Sequence, residues 1–132
     1  ATPMCWPAST ATAKPCMQRD PRAFLWDVRD AASAIQGFVA GMDGAAFEAN
    51  AMAQSAVERK FEIIGEALNQ LSKLDATLAA RIPELAQIVA FRNQLIHGYA
   101  TVRVGTVWNV QRNALPPLLA VVEVLLGELG QV

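Results

Sequence analysis

One run of apolar residues in the middle of the chain constrains the fold more than any other feature. Because an α-helix turns once about every 3.6 residues, residues spaced by three and four share one helix face, whereas a strand would show alternation. A helix with such a seam has to bury it against other helices, so the run predicts a helical bundle. The spacing is four, three, four and three through Val57, Phe61, Ile64, Leu68 and Leu71.

Capping and breaking residues place the first two helices. Asp20-Pro21 is a helix start, because aspartate accepts hydrogen bonds from free backbone N–H groups and proline suits the first helical position. Gly41 is expected to end this helix, and Gly44 to open the longer helix that carries the seam. That second helix should close near Asp75.

Prolines punctuate the second half of the chain. Pro83 is expected to begin a helix that runs to about His97, with Gly98 as its left-handed terminus. The leucine-rich last helix contains Pro116-Pro117 and should kink or split there, because proline lacks a backbone donor. Since no segment alternates like a strand, we predict an all-α fold, an antiparallel bundle of four to five helices with short connections.

Length and composition favour one domain, which we place at residues 20–132, after an irregular, proline-containing leader at residues 1–19. Cys5 and Cys16 both fall in that leader and are expected to be reduced in a cytoplasmic protein. No run of about 18 apolar residues occurs, so no membrane span is expected. The net charge of −1 excludes a strong global basic field, whereas the 53% apolar content points weakly to an oligomer interface.

The segment from Phe91 to Tyr99 holds the side chains that could do chemistry. It contains the only histidine, His97, and the only tyrosine, and it sets Arg92 into an otherwise apolar helix face. A charged side chain is rarely buried without a partner. Arg92 therefore either pairs with a carboxylate or faces a functional surface. Guanidinium binds phosphate as a planar fork and imidazole transfers protons near neutral pH, which together suit RNA cleavage without a metal.

Helix geometry separates these two groups within one chain. Five residues rotate an ideal helix by about 500°, so Arg92 and His97 would lie about 140° apart. They would converge if the helix ended or distorted near His97, or if a second copy of the chain completed the site. Tyr99 would fall within about 20° of Arg92 if the helix persisted. The structural alternative makes His97 a helix cap and pairs Arg92 with Glu62 or Glu66.

Three stretches of the sequence, taken in order, resemble one known family. The central one is the motif of Arg92, four residues, His97, any residue and Tyr99. Residues 19–28 and 56–67 look like the opening and the second-helix signature of the same family, the HEPN ribonucleases of the HepT type. With a further match near Trp108, the resemblance covers roughly residues 18–129.

The resemblance implies a HEPN-like, all-α homodimer that acts as the toxin of a toxin–antitoxin system. Arg92 and His97 would be the catalytic pair of a composite endoribonuclease site at the dimer interface, with Asn93 as a polar support and RNA as substrate. No metal or cofactor is implied. The expected partner is an MntA-like nucleotidyltransferase antitoxin, which would silence the toxin by attaching AMP to Tyr99, since a bulky anion there would repel RNA phosphate.

Two carboxylates on the second helix complete the candidate residues. Glu62 and Glu66 lie one turn apart, and we expect them to hold Arg92 and Arg59 in place rather than to bind a metal. The sequence departs from the family pattern at Lys60, where asparagine is frequent. The competing function is non-enzymatic: a helical dimer that serves only as a partner or substrate-binding subunit of a nucleotidyltransferase.

Overall fold

The computed structural model describes residues 20–98 and 101–130, and every regular element within them is an α-helix. The predicted all-α bundle is confirmed. Five of the described helices have ten residues or more, while α2 and α4 are short links. Tyr99 and the leader at residues 1–19 lie outside the described residues. In chain order the helices are α1 Pro21–Phe38, α2 Gly44–Glu48, α3 Ala51–Leu74, α4 Ala76–Ala79, α5 Leu85–His97, α6 Val104–Asn113 and α7 Leu115–Leu129.

Side-chain caps mark where the two long helices α1 and α3 begin. The Asp20 carboxylate accepts a hydrogen bond from the backbone N–H two residues on, at 2.9 Å, and Pro21 occupies the first position of α1, as predicted. Asn50 caps α3 in the same way, with a bond of 3.0 Å from a backbone N–H three residues on. That cap explains one wrong prediction: Gly44 opens only the short α2, because the extended backbone of Asn50 restarts the helix at Ala51.

Helix α5 ends at His97 as predicted, but its start and the conformation of Gly98 differ from the prediction. The helix begins at Leu85 rather than at Pro83, because the N–H of Leu85 first closes a turn onto the carbonyl of Ile82 at 3.2 Å. Gly98 does not adopt the left-handed conformation: its φ is −136°, and its N–H still donates to a carbonyl four residues back at 2.8 Å. Helix α5 therefore continues without a break through His97.

The last helical stretch splits at the two prolines, as predicted. Helix α6 ends at Asn113, Ala114 forms the junction, and α7 starts at Leu115 with Pro116 and Pro117 in its first turn. First-turn N–H groups have no acceptor within their own helix, so proline removes no hydrogen bond there, whereas it would break a continuous helix.

Helix α3 forms the centre of the bundle and positions α5. The predicted seam from Val57 to Leu71 is fully buried on it. Helices α1 and α5 both pack against α3, and α7 packs against α1. The rings of Phe61 and Phe91 meet edge to face with their centroids 5.2 Å apart, which fixes α5 against α3 one residue before Arg92.

Candidate active site

Arg92 enters the site over a glycine of the neighbouring helix. A Cβ added to Gly65 on α3 would lie 2.3 Å from the Cβ of Arg92 and 2.6 Å from its Cγ, closer than carbon atoms can approach. The aliphatic part of Arg92 therefore packs directly on the α3 backbone, and its side chain is 19% exposed. Only glycine at position 65 allows the two helices to meet this closely.

Two neighbouring side chains hold the guanidinium of Arg92. Its Nη2 donates to Oε1 of Glu66 on α3, and its Nη1 donates to Oδ1 of Asn93 at 2.8 Å. Its Nε is enclosed and has no hydrogen-bond partner among the described residues. Since a guanidinium carries five N–H groups, these bonds leave one N–H on each terminal nitrogen for a ligand.

Glu66 is shared between Arg92 and an amide. Its second oxygen, Oε2, accepts a hydrogen bond from Nε2 of Gln70, one turn further along α3, at 2.8 Å. The Glu66 side chain is 47% exposed, so the chain Gln70–Glu66–Arg92 runs along the surface of the α3–α5 contact. Of the two carboxylates predicted near Arg92, Glu66 is the one that contacts it.

Glu62 binds a different arginine. Its Oε1 lies 3.2 Å from Nη1 of Arg59 on the same helix, and Arg59 is exposed. One turn before Glu62, partial burial raises the pKa of Glu58, and the like charge of Glu62 raises it further. This face of α3 therefore carries several carboxylates, of which Glu66 alone reaches α5 by a described ion pair.

His97 is the last residue of α5 and is exposed. Because α5 continues to that residue, Arg92 and His97 project from faces about 140° apart. No hydrogen bond or ion pair joins them in the described part of the chain. The structure thus brings together Arg92, Asn93 and Glu66, but it does not bring His97 to them within one chain.

The Arg92 side of α5 is only partly covered. Ile96, one turn after Arg92 and close to it in helical angle, is 42% exposed, which is high for a large apolar side chain. Asn93 and His97 beside it are exposed as well. Tyr99 lies outside the described residues.

Among residues 20–98 and 101–130, no cluster of three or more His, Cys, Asp or Glu side chains could hold a metal ion. In the same residues, no helix is both long and apolar enough to cross a membrane.

Sequence reasoning missed the roles of Gly65 and Gln70. A glycine inside a helical pattern is a recognisable signal, because it weakens a helix by about 1 kcal/mol relative to alanine and so needs a packing reason. Its partner, however, lies 27 residues away on another helix, at Arg92. Gln70 carried no signal beyond its four-residue spacing from Glu66.

Comparison with known proteins agrees with the resemblance seen in the sequence. The family described as "Ribonuclease HepT-like" matches residues 28–125 of this chain. A Methanocaldococcus jannaschii protein named "Putative RNase MJ1380" is 31% identical over 108 residues, which cover 82% of this chain and 98% of that protein. A Thermococcus cleftensis protein named "Probable ribonuclease HepT" is 30% identical over 102 residues, covering 77% of this chain and 92% of that protein.

No solved structure gives a significant match to the chain. The family match nevertheless spans α3 and α5 entirely, and so includes Gly65, Glu66 and the whole segment from Arg92 to His97. On this basis the chain belongs to the HepT-like ribonuclease family.

Proposed function

We propose that this protein is the endoribonuclease toxin of a toxin–antitoxin system, and that it cleaves RNA without a metal at a site shared by two copies of the chain. The observation that carries the proposal is the state of Arg92. Its guanidinium is fixed by Glu66 and Asn93, yet it keeps one N–H on each terminal nitrogen. A fixed fork with free donors suits a phosphate group.

In the proposed reaction, the ribose 2′-oxygen attacks the adjacent phosphorus, and the bond from phosphorus to the 5′-oxygen of the next nucleotide breaks. The His97 imidazole takes the proton from the 2′-hydroxyl, and the leaving 5′-oxygen receives a proton from the resulting imidazolium or from water. Arg92 stabilises the extra negative charge that develops on the phosphoryl oxygens. The products are a 2′,3′-cyclic phosphate and a 5′-hydroxyl.

A second copy of the chain would bring an Arg92 and a His97 together, although the two lie apart within one chain. A two-fold axis beside the partly covered face of α5 would set Arg92 of one copy opposite His97 of the other. The exposed Ile96 supports this placement, because it supplies apolar surface at the same helix end. The proposed homodimer is therefore a requirement of the chemistry.

Regulation is proposed to act on Tyr99, two residues after His97. A nucleotidyltransferase antitoxin of the MntA type would transfer AMP from ATP to the tyrosine hydroxyl and release pyrophosphate. Each AMP would add a bulky anion where the RNA phosphate has to bind, so it would block the site by sterics and by charge.

Metal-free cleavage tests this function. Wild-type protein incubated with single-stranded RNA in excess EDTA should yield products that end in a 2′,3′-cyclic phosphate, and His97→Ala should abolish both the cleavage and growth inhibition in cells. Arg112→Ala, an exposed change on α6, serves as the control. An active, toxic His97→Ala variant would contradict the proposal.

The competing function is a non-enzymatic subunit of a nucleotidyltransferase, which the Glu66–Arg92 ion pair would also suit as a purely structural contact. It predicts that the unmodified wild-type dimer stays inert toward RNA in every buffer, while still binding the transferase.

A further inference from the structure

The hydrogen bond between Gln70 and Glu66 determines how Glu66 can engage Arg92. We propose that Gln70 is a positioning residue, which holds the Glu66 carboxylate so that only one of its oxygens binds Arg92. Nη1 of Arg92 then bonds to the neutral amide of Asn93, which an RNA phosphate displaces more easily than a second carboxylate oxygen. This inference rests on the proposed ribonuclease function and assigns a residue to it that neither the motif nor the family resemblance named.

The two oxygens of Glu66 have donors from two different helices. Oε2 accepts from Nε2 of Gln70 on α3 at 2.8 Å, and Oε1 accepts from Nη2 of Arg92 on α5. The Gln70 bond runs along α3 at the favourable spacing of four residues. In this arrangement Oε2 is held by Gln70, Glu66 bonds to Arg92 through Oε1, and Nη1 of Arg92 bonds to Asn93.

A carboxylate without this restraint prefers to bind arginine through two parallel hydrogen bonds. The same chain shows that arrangement at Arg81, whose Nη1 and Nη2 bond to the two oxygens of Glu128 at 2.7 and 2.8 Å. If Glu66 engaged Arg92 in this way, both terminal nitrogens would face a carboxylate. A phosphate would then have to displace a doubly bonded anion.

Glu66 has room to make that change. A groove of about 210 Å³ borders Gln70 and Glu66 on the surface of α3 and α1, and nearly half of the Glu66 side chain is exposed. Sterics alone therefore do not hold the carboxylate. The Gln70 amide is the described group that fixes Oε2.

The kinetic test replaces Gln70 with leucine, which keeps the size of the side chain and removes its donor. We expect Gln70→Leu to lower kcat/KM for RNA about tenfold, mainly through a higher KM, because the phosphate competes with a doubly bonded carboxylate. Gln54→Leu is the matched control: Gln54 is also a partly buried glutamine of α3, but it donates to the carbonyls of Phe47 and Glu48. The control should leave KM unchanged.

A double-mutant cycle shows whether Gln70 acts through Glu66. In the Glu66→Ala background the doubly bonded state cannot form, so adding Gln70→Leu should change KM by less than about twofold. An undiminished tenfold effect in that background would overturn the proposal, as would a Gln70→Leu enzyme with wild-type KM.

A crystal structure of Gln70→Leu gives a readout that does not need activity. It should show both Glu66 oxygens on the terminal nitrogens of Arg92, and Arg92 no longer bonded to Asn93. A Glu66 that still offers one oxygen would overturn the inference, even if the wild type cleaves RNA. If the wild type is inert toward RNA, the proposed function fails, and this structure still decides whether Gln70 sets the geometry.

Discussion

Among the described residues, the ion pairs Arg92–Glu66 and Arg81–Glu128 each join separate helical regions, and they differ in what binds the two terminal nitrogens of the arginine. Arg81 and Glu128 are both about half exposed and meet through two parallel hydrogen bonds, which join the turn after α4 to α7. Arg92 is mostly enclosed, packs on a glycine, and gives Glu66 a single bond. Each arginine therefore uses two of its five N–H groups, but Arg81 gives both to one carboxylate, whereas Arg92 gives one to Glu66 and one to the neutral amide of Asn93. A phosphate can displace a neutral amide from Nη1 of Arg92 more easily than it can displace a carboxylate oxygen.

Removing each arginine in turn should show the largest difference between the two ion pairs. Arg92→Ala should lower kcat/KM for RNA by at least about a hundredfold, because it removes the cation that stabilises transition-state charge. Arg81→Ala should keep activity within about twofold, since its ion pair is solvent-exposed. Cleavage kinetics in EDTA, with circular dichroism to verify folding, would measure both. Equal losses in the two variants would erase the distinction.

Substitution of the glycine that packs against Arg92 should have the next largest effect, on the stability of the fold. Gly65→Ala should destabilise the fold by about 1 to 3 kcal/mol, because its methyl group cannot fit against the Arg92 stem and α5 has to move. Gly127→Ala in α7 is the matched control, with no atom within 4 Å of the added methyl group. The control should gain up to about 1 kcal/mol from helix propensity. Urea unfolding of both variants compares them, and a neutral Gly65→Ala would show that the close approach is not required.

The ion pair between Arg81 and Glu128 should make the stability of the fold depend on pH. Hydrogen bonds from Arg81 hold the pKa of Glu128 below its ordinary value of 4.5. Because the folded pKa is depressed, the stabilisation is present above the unfolded pKa and is lost as the pH falls through the folded pKa. The Tm deficit of Arg81→Ala should therefore be present at pH 7 and shrink below about pH 4.5. A deficit that is independent of pH would indicate lost packing instead.

The smallest expected effect concerns the acidic face of α3 beside Arg92. Partial burial, and then the charge of Glu62, raise the pKa of Glu58, so the fold favours the protonated carboxyl and is weakened when Glu58 ionises. Glu58→Gln should raise the stability at pH 7 by less than about 1 kcal/mol, since the side chain is only partly buried and solvent screens its charge. The gain should vanish below the ordinary pKa of 4.5. Thermal melts at both pH values would check it, and a loss at pH 7 would reverse the sign.

The fold was largely predictable because its signals are local. The seam from Val57 to Leu71, the Asp20 cap and the break at Pro116 all act within one or two helical turns. One error arose where two local signals competed. Gly44 could have opened a long helix, but Asn50 is a better cap and divides it.

The site was predictable only in part, because its contacts cross between helices. The motif singled out Arg92 and its spacing to His97, and the four-residue spacing of Glu62 and Glu66 placed two carboxylates on one face. Which of them reaches Arg92 depends on the register of α3 against α5, and that register is set by the packing of Arg92 on Gly65. Sequence periodicity carries no information on such a contact.

The central claim is that Arg92 of one copy works with His97 of another, and subunit complementation tests it most directly. Arg92→Ala and His97→Ala proteins, each inactive alone, are mixed, unfolded and refolded together. In a mixed dimer with shared sites, one site loses both groups and the other keeps both. Random pairing then predicts recovery of about a quarter of wild-type RNA cleavage. If refolded mixtures form dimers and remain inactive, each site lies within one chain and the account is contradicted.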